Sequence, residues 1–345
     1  MTPDPWWREL CRRPLIVAPM AGGPSTVDLV VAVTRAGALG FVAGGYKTAS
    51  ALADDMAAVR AAGVARFGVN LFVPGEPTAD AVGLAAYLVE LEPAAAALGA
   101  SLGEATWNDD DYPGKVGAVL AAAPAVVSFT FGIPAAEVVR GLQAAGAVVM
   151  ITVTTPEEAT RALRVGPDAL ALQGSEAGAH RGSLVNADRA DEDRPVRALL
   201  ASVRRRTLVP LVAAGGTGGP DDVVDLLARG ADMVQVGTAF LRCPESGAPD
   251  VQKEALGAGA FTGTAVTRAF SGRRARALVN AMVEDHPGAP AAYPEINSAT
   301  RPMRAAAARS GDTQHMSLYA GTAFERAEAR PAAEIVEWLL SGWRG

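Results

Sequence analysis

Eight short, almost wholly apolar runs recur between residues 15 and 236, separated by Ala-rich segments. They fall near 15–19 (LIVAP), 38–43 (ALGFVA), 67–72 (FGVNLF), 126–130 (VVSFT), 148–153 (VVMITV), 168–173 (DALALQ), 211–214 (LVAA) and 233–236 (MVQV). A strand with one wet face alternates apolar and polar residues; these do not, as expected of parallel strands covered on both sides. The intervening segments carry helix punctuation. "TTPEEATRALRVG" offers a Thr cap, Pro in the first turn, early acids, a late Arg and a closing Gly. Eight strand–helix units in succession predict an α/β fold, a (β/α)8 barrel of the TIM type, rather than an open sheet. Two units are long, those between the strand starts at 67 and 126 and at 168 and 211. Long loops after barrel strands usually serve a site. Beyond residue 240 the pattern breaks into pieces interrupted by Gly, Pro and Asn. We therefore expect a barrel formed by 1–240 and 325–345, closed by the helix "PAAEIVEWLLSGW", with a helical cap at 241–324.

The bulk numbers narrow the function. The 345 residues are half apolar and carry a formal net charge of -6, with Arg dispersed among Asp and Glu. Nucleic-acid binding needs a concentrated basic surface. The densest basic cluster, Arg204 to Arg206, sits where a helix dipole favours positive charge. Only Cys11 and Cys243 are present, too few for a disulfide framework or a metal cluster, so no metal is expected. The N-terminus lacks a signal-peptide pattern, and no run approaches the ~18 apolar residues of a membrane span. The expectation is a cytoplasmic protein acting on a small molecule, with no nucleic-acid or membrane partner.

In such a barrel the active site lies at the C-terminal ends of the strands. Strand 1 ends in Ala18-Pro19-Met20-Ala21-Gly22-Gly23, strand 7 in Ala214-Gly215-Gly216-Thr217 and strand 8 in Gln235-Val236-Gly237-Thr238. Gly-rich turns after strands 7 and 8 are where barrels commonly hold a phosphate on backbone N–H groups; otherwise they serve only as tight turns. Asn70 and Gln173 interrupt apolar strands, and a buried amide must find partners. They either satisfy loop backbone or hydrogen-bond a flat heterocycle. Together with a phosphate site, they point to a nucleotide-like cofactor across the barrel mouth. His180, one of three histidines, follows strand 6 in "QGSEAGAHRG", where it can project over a ligand and act as base, donor or charge. His286 and His315 read as structural. Lys47, Lys115 and Lys253 stand away from strand ends, against Schiff-base chemistry.

Taken together, "PLIVAPMAGGPST", "FGVNLFVP", "QGSEAGAHRG", "LVAAGGTGGPDDVVDLLARGADMVQVGTAFL" and "YPEINSATRPMRAAAARSGDTQHMSLYAG" resemble the nitronate monooxygenases, within a flavin-binding superfamily that includes FMN-dependent enoyl-ACP reductases. The resemblance implies FMN held by Ala18, Met20, Ala21, Asn70, Gln173, Gly178, Ala214, Gly215, Gly216, Gln235, Gly237 and Thr238. It also implies His180 as the catalytic residue, with Gly22, Tyr293 and Tyr319 toward the substrate. The implied reaction is oxidation of an alkyl nitronate by O2 to a carbonyl compound and nitrite. An NAD(P)H-dependent FMN reductase and a flavin-free barrel binding a phosphorylated metabolite are the alternatives, and a homodimer is left open. Two departures stand out. The family's usual Glu-Ala-Gly-Gly-His reads Glu-Ala-Gly-Ala-His here, with Ala179 before the histidine, and its "SGRPAR" reads Ser271-Gly272-Arg273-Arg274-Ala275-Arg276.

Overall fold

A computed structural model describes residues 6–187, 193–257 and 259–344. The first six strands are β1 (Leu15–Val17), β2 (Phe41–Ala43), β3 (Gly68–Phe72), β4 (Val126–Thr130), β5 (Val148–Val153) and β6 (Ala169–Gln173). They are followed by β7 (Ala179–His180), β8 (Leu211–Ala214) and β9 (Met233–Val236). All but β7 form one parallel sheet in the order β1-β9-β8-β6-β5-β4-β3-β2. A parallel bridge between Ile16 and Leu39 closes that sheet on itself. There Val17 N–H donates to Leu39 O and Leu39 N–H to Leu15 O, both at 2.9 Å. The eight expected strands are therefore the eight barrel strands, with β2 starting three residues later than its apolar run.

The two-residue period of a strand explains the interior. Leu15 and Val17 pack outward with helix residues such as Leu29, Val33 and Ile335. Ile16 between them points inward to meet Phe41, Met150, Ala171, Val212 and Met233, with Trp7 plugging that end of the barrel. Continuing two residues along each inward-facing row leads from Ile16 to Ala18, Met150 to Thr152, Ala171 to Gln173, Val212 to Ala214 and Met233 to Gln235. The interior thus turns from apolar to polar toward the C-terminal end.

Helix punctuation also holds. The helix Pro156–Ala162 starts at Thr155, whose side chain accepts from Glu158 N–H, and the segment ends at Gly166 with φ 72°. The final helix Ala332–Leu339 packs against Val27–Arg35, closing the ring.

The segment expected to be a helical cap departs from that reading. It does contain the helix Glu295–Ser310, but also strands β10 (Thr264–Thr267) and β11 (Ala275–Leu278). These join β7 in a three-stranded antiparallel sheet ordered β10-β11-β7. Four-residue strands such as "TAVT" and "ARAL" are too short for their periodicity to be read; they pair with each other locally, and "ARAL" also pairs with β7, far back along the chain. The long unit after β3 also joins this region. Its helix Ala81–Ala97 places Tyr87, Leu91 and Ala95 in one apolar cluster with Phe270, Ile296 and Met303. Tyr87 Oη donates to Ala269 O at 2.7 Å. None of the described helices is long and apolar enough to cross a membrane.

Ile335, 2% exposed, holds the closing helix against the strands. Truncation there leaves a cavity that packed neighbours cannot refill, so Ile335→Ala should cost about 3 kcal/mol. Urea unfolding of the two proteins measures it.

Candidate active site

A cavity of about 610 Å³ opens at the C-terminal end of the barrel, floored by Ala18, Asn70, Ser128, Thr152, Gln173 and Gln235. Its wall includes every residue assigned to cofactor or catalysis from the sequence: Ala18, Met20, Ala21, Asn70, Gln173, Gly178, His180, Ala214, Gly215, Gly216, Gln235, Gly237 and Thr238. Gly22 and Tyr319 from the expected substrate set also line it. Tyr293 does not. It stands one layer back, with its ring centroid 5.7 Å from that of His180 and its hydroxyl donating to Tyr46 Oη at 3.3 Å.

The two strand amides differ in use. Asn70 Nδ2 donates to Ser128 Oγ at 2.9 Å and Thr130 Oγ1 at 3.0 Å, so hydroxyls on β4 set its orientation. Gln173 is committed to the loop that follows it. Its Nε2 donates to His180 O at 3.0 Å, while its Oε1 accepts from Gly182 N–H at 2.7 Å and Arg181 Nη1 at 3.2 Å. Buried Arg181 also donates to Gly174 O. The loop from 174 to 182 is thereby tied into a compact bend that returns His180 over the strand end.

Two glycine features build this bend's surroundings. Gly215 and Gly216 take φ of 104° and 70°, a region costly for other residues, and turn the chain away directly after β8. At Gly178 a side chain would meet the backbone of Ala320 and Gly321 at 2.5 Å, so only glycine lets the histidine loop dock there. Ala179 lies in the same left-handed region, at φ 60°, where the family's usual residue is glycine. It is held there because Ala179 and His180 form β7, paired with Arg276 and Ala275 of β11.

His180 sits in an aromatic cage. Its ring centroid is 5.9 Å from that of Phe131 and 5.2 Å from that of Tyr319. Its Nε2 is 2.7 Å from Ser271 Oγ. Loss of solvation, reinforced by the positive charges of Arg273 and Arg304, lowers its pKa to about 3. The surroundings therefore favour the neutral imidazole at physiological pH. Burial raises the phenols of Tyr46, Tyr293 and Tyr319 above their ordinary value, so they remain O–H donors.

Positive charge comes instead from arginine. Arg301 and Arg304, from the helix Glu295–Ser310, both reach the cavity wall. Arg304 is held by Asn297 Oδ1 at 2.8 Å, Thr300 Oγ1 at 3.0 Å and Ser317 Oγ at 3.3 Å. These arginines, with Tyr46 and Ser271, escaped the sequence reading because they lie off the strand ends, whereas Phe72 and Phe131, at the end of β3 and just after β4, read as ordinary apolar residues. A positive φ of 66° at Tyr46 and 77° at Phe131 leaves no trace in residue type. The lysine reading needs one correction. Lys47, four residues after β2, lines the cavity and is ion-paired with Asp55. Arg274, replacing the family's proline, pairs with Asp193 and accepts Arg181 N–H on its carbonyl at 2.8 Å. The two cysteines stay inert, burial pushing each thiol up to about 12.

Two outcomes are expected here. Ala→Gly ordinarily destabilises by roughly 0.5–1 kcal/mol, but at a left-handed residue strain relief of about 1–2 kcal/mol opposes it. Ala179→Gly should therefore leave urea stability unchanged or raise it by up to about 1.5 kcal/mol. The lowered pKa of His180 also carries a sign. Between about 6.5 and about 3 the unfolded chain binds a proton that the folded chain refuses, so stability falls as pH drops through that window. In His180→Asn that part of the pH dependence of the urea midpoint should vanish.

Comparison with known proteins agrees with this geometry. The family model for nitronate monooxygenase matches residues 6–342. A nitronate monooxygenase of Pseudomonas aeruginosa is 38% identical, covering 97% of each chain. The solved structure of a nitroalkane oxidase from Streptomyces ansochromogenes is 42% identical, with a TM-score of 0.94 over 97% of this chain and 96% of that one. FabK from Thermotoga maritima, 23% identical with a TM-score of 0.74 over 98% of this chain and 94% of that one, shares the fold. The chain belongs to the nitronate monooxygenase family of flavin-dependent enzymes.

Proposed function

We propose that the protein oxidises alkyl nitronates, and the parent nitroalkanes, with FMN and O2, giving a carbonyl compound and nitrite. The observation that carries this reading is a buried histidine on the cavity wall, ringed by phenols and arginines, surroundings that favour its neutral form. A neutral imidazole can take the α-proton of a nitroalkane, and nearby cations favour the anion that results.

The residues present fit an FMN phosphate. Thr217 follows the two left-handed glycines onto the cavity wall, and its buried Oγ1 has no hydrogen-bond partner, as a donor awaiting an oxyanion would have. The turns at Gly215–Thr217 and Gly237–Thr238 would hold the phosphate, with Asn70, Met20 and the wall of the barrel mouth against the ring system. When bound, FMN supplies the two-electron redox chemistry.

The chain's own residues bind, orient and move a proton. Ser271 Oγ lies 3.3 Å from Arg273 O, to which its hydroxyl donates. In that arrangement Nε2 of His180 carries the ring hydrogen, donating it to Ser271, and Nδ1 is the basic nitrogen. Arg301 and Arg304 attract the substrate anion. Tyr46 and Tyr319 supply hydroxyls, and Phe131 and Phe72 exclude water. A substrate that arrives as nitronate needs only the binding groups; a neutral nitroalkane needs His180 as well.

His180→Asn, checked for retained flavin by its visible spectrum, should lose about 100-fold or more in O2 uptake with a neutral nitroalkane. It should lose much less with the preformed nitronate. Undiminished nitroalkane turnover would remove the base from His180. Anaerobic NADPH separates the reductase reading, for which the flavin would bleach rapidly; here it should not.

A further inference from the structure

We propose that a second cavity, behind Phe131 and Tyr293, binds a small planar oxyanion of single charge on the guanidinium of Arg273. The cavity measures about 300 Å³, and its walls include Val73, Phe131, Asn186, Arg273 and Tyr293. It is distinct from the barrel-mouth cavity but shares Phe131 with it.

Arg273 is 6% exposed and makes no ion pair among the described residues. Its Nε donates to Arg181 O at 3.3 Å and its Nη2 to Ser183 O. Those two bonds leave Nη1 and one Nη2 hydrogen unspent. Burial lowers its pKa to about 10, so it is still a cation at neutral pH. An interior charge without a counter-charge is unfavourable, and the carbonyls that hold this one carry only partial charge. The charge of Glu158 favours the cation from a distance, but no carboxylate among the described residues contacts it. Glu158 is turned to Thr154 N–H at 2.7 Å and Leu184 N–H at 2.6 Å, and Glu76, on the cavity wall, is exposed and makes no ion pair among the described residues.

The shape of the site sets the class of ligand. A guanidinium is a flat fork that matches two oxygens in one plane. Its carbon lies 4.0 Å from the centroid of the Phe131 ring and 5.9 Å from that of Tyr293, so aromatic faces confine the space beside it. One cation neutralises one charge. Nitrite, nitrate and formate share this chemistry. The choice of nitrite rests on the proposed reaction, of which it is a product; the site itself does not. Phe131 separates the ligand from His180 by a single ring, the two centroids being 5.9 Å apart, so a product anion would move only a short way to reach it.

The test needs no turnover, so its failure is separate from failure of the nitronate reading. Flavin-loaded protein is heated with sodium nitrate, nitrite or formate at an ionic strength held constant with chloride. A saturable rise in Tm is expected in the parent protein and in His180→Asn, and its absence in Arg273→Met. Should Arg273→Met not fold, Val185→Trp fills the cavity from its exposed wall and should abolish the rise while leaving Arg273 in place. A rise with nitrite assigns the site to product, and one with formate alone assigns it to a short carboxylate. The proposal is overturned if no anion acts beyond chloride, if the rise survives Val185→Trp, or if it disappears in His180→Asn.

Discussion

The loop between β6 and residue 182 is fastened from two sides, and the site depends on that fastening. From the barrel, the amide of Gln173 and the guanidinium of Arg181 bind the loop's own backbone. From the other side, β11 pairs with Ala179 and His180, and Gly178 sits against Ala320 and Gly321. The histidine is therefore an edge strand of the cap sheet as well as the end of a barrel unit. Its position is over-determined, which is what allows Ala179 to remain at a strained positive φ.

Electrostatics follows from the same construction. The segment that contains β11 also brings Ser271 and Arg273, placing a hydrogen-bond partner and a cation beside the imidazole. The helix Glu295–Ser310 adds Arg304 from above. Together with loss of solvent these cations hold His180 neutral, while Arg301 and Arg304 remain available to an anion. On the proposed reading these charges serve two ends: Arg273 and Arg304 keep the imidazole unprotonated, and Arg301 and Arg304 draw in an anionic substrate. The same cations give the cap a share in the chemistry, although its sequence carries no strand-end motif.

Legibility tracked the range of the interactions. The eight barrel strands were readable because burial on both faces writes itself as continuous apolar runs, and helix ends because caps are local. Residues at strand ends were readable for the same reason: Asn70, Gln173, Gly215, Gly237 and His180 stand where a barrel must present its site. The cap sheet was not. Thr264–Thr267 and Ala275–Leu278 are short, and what joins their hairpin to the site is the pairing of Ala275–Leu278 with a two-residue strand nearly a hundred positions away in the chain. Gln173 shows a partial reading, since either of its sequence-level roles needs the same residue. Its contacts place the amide on loop backbone while leaving it on the cavity floor.

What the residues determined by themselves is the barrel, the end of it that carries the site and the histidine that faces it, because periodicity, turn chemistry and strand order are encoded locally. Only the tertiary structure decided the protonation state of that histidine and the company it keeps. Arg273, Arg304, Tyr293 and Tyr319 come from distant segments and surround His180 only in the folded chain. A pKa is set by burial and by the distances between charges, and neither exists until the chain has folded.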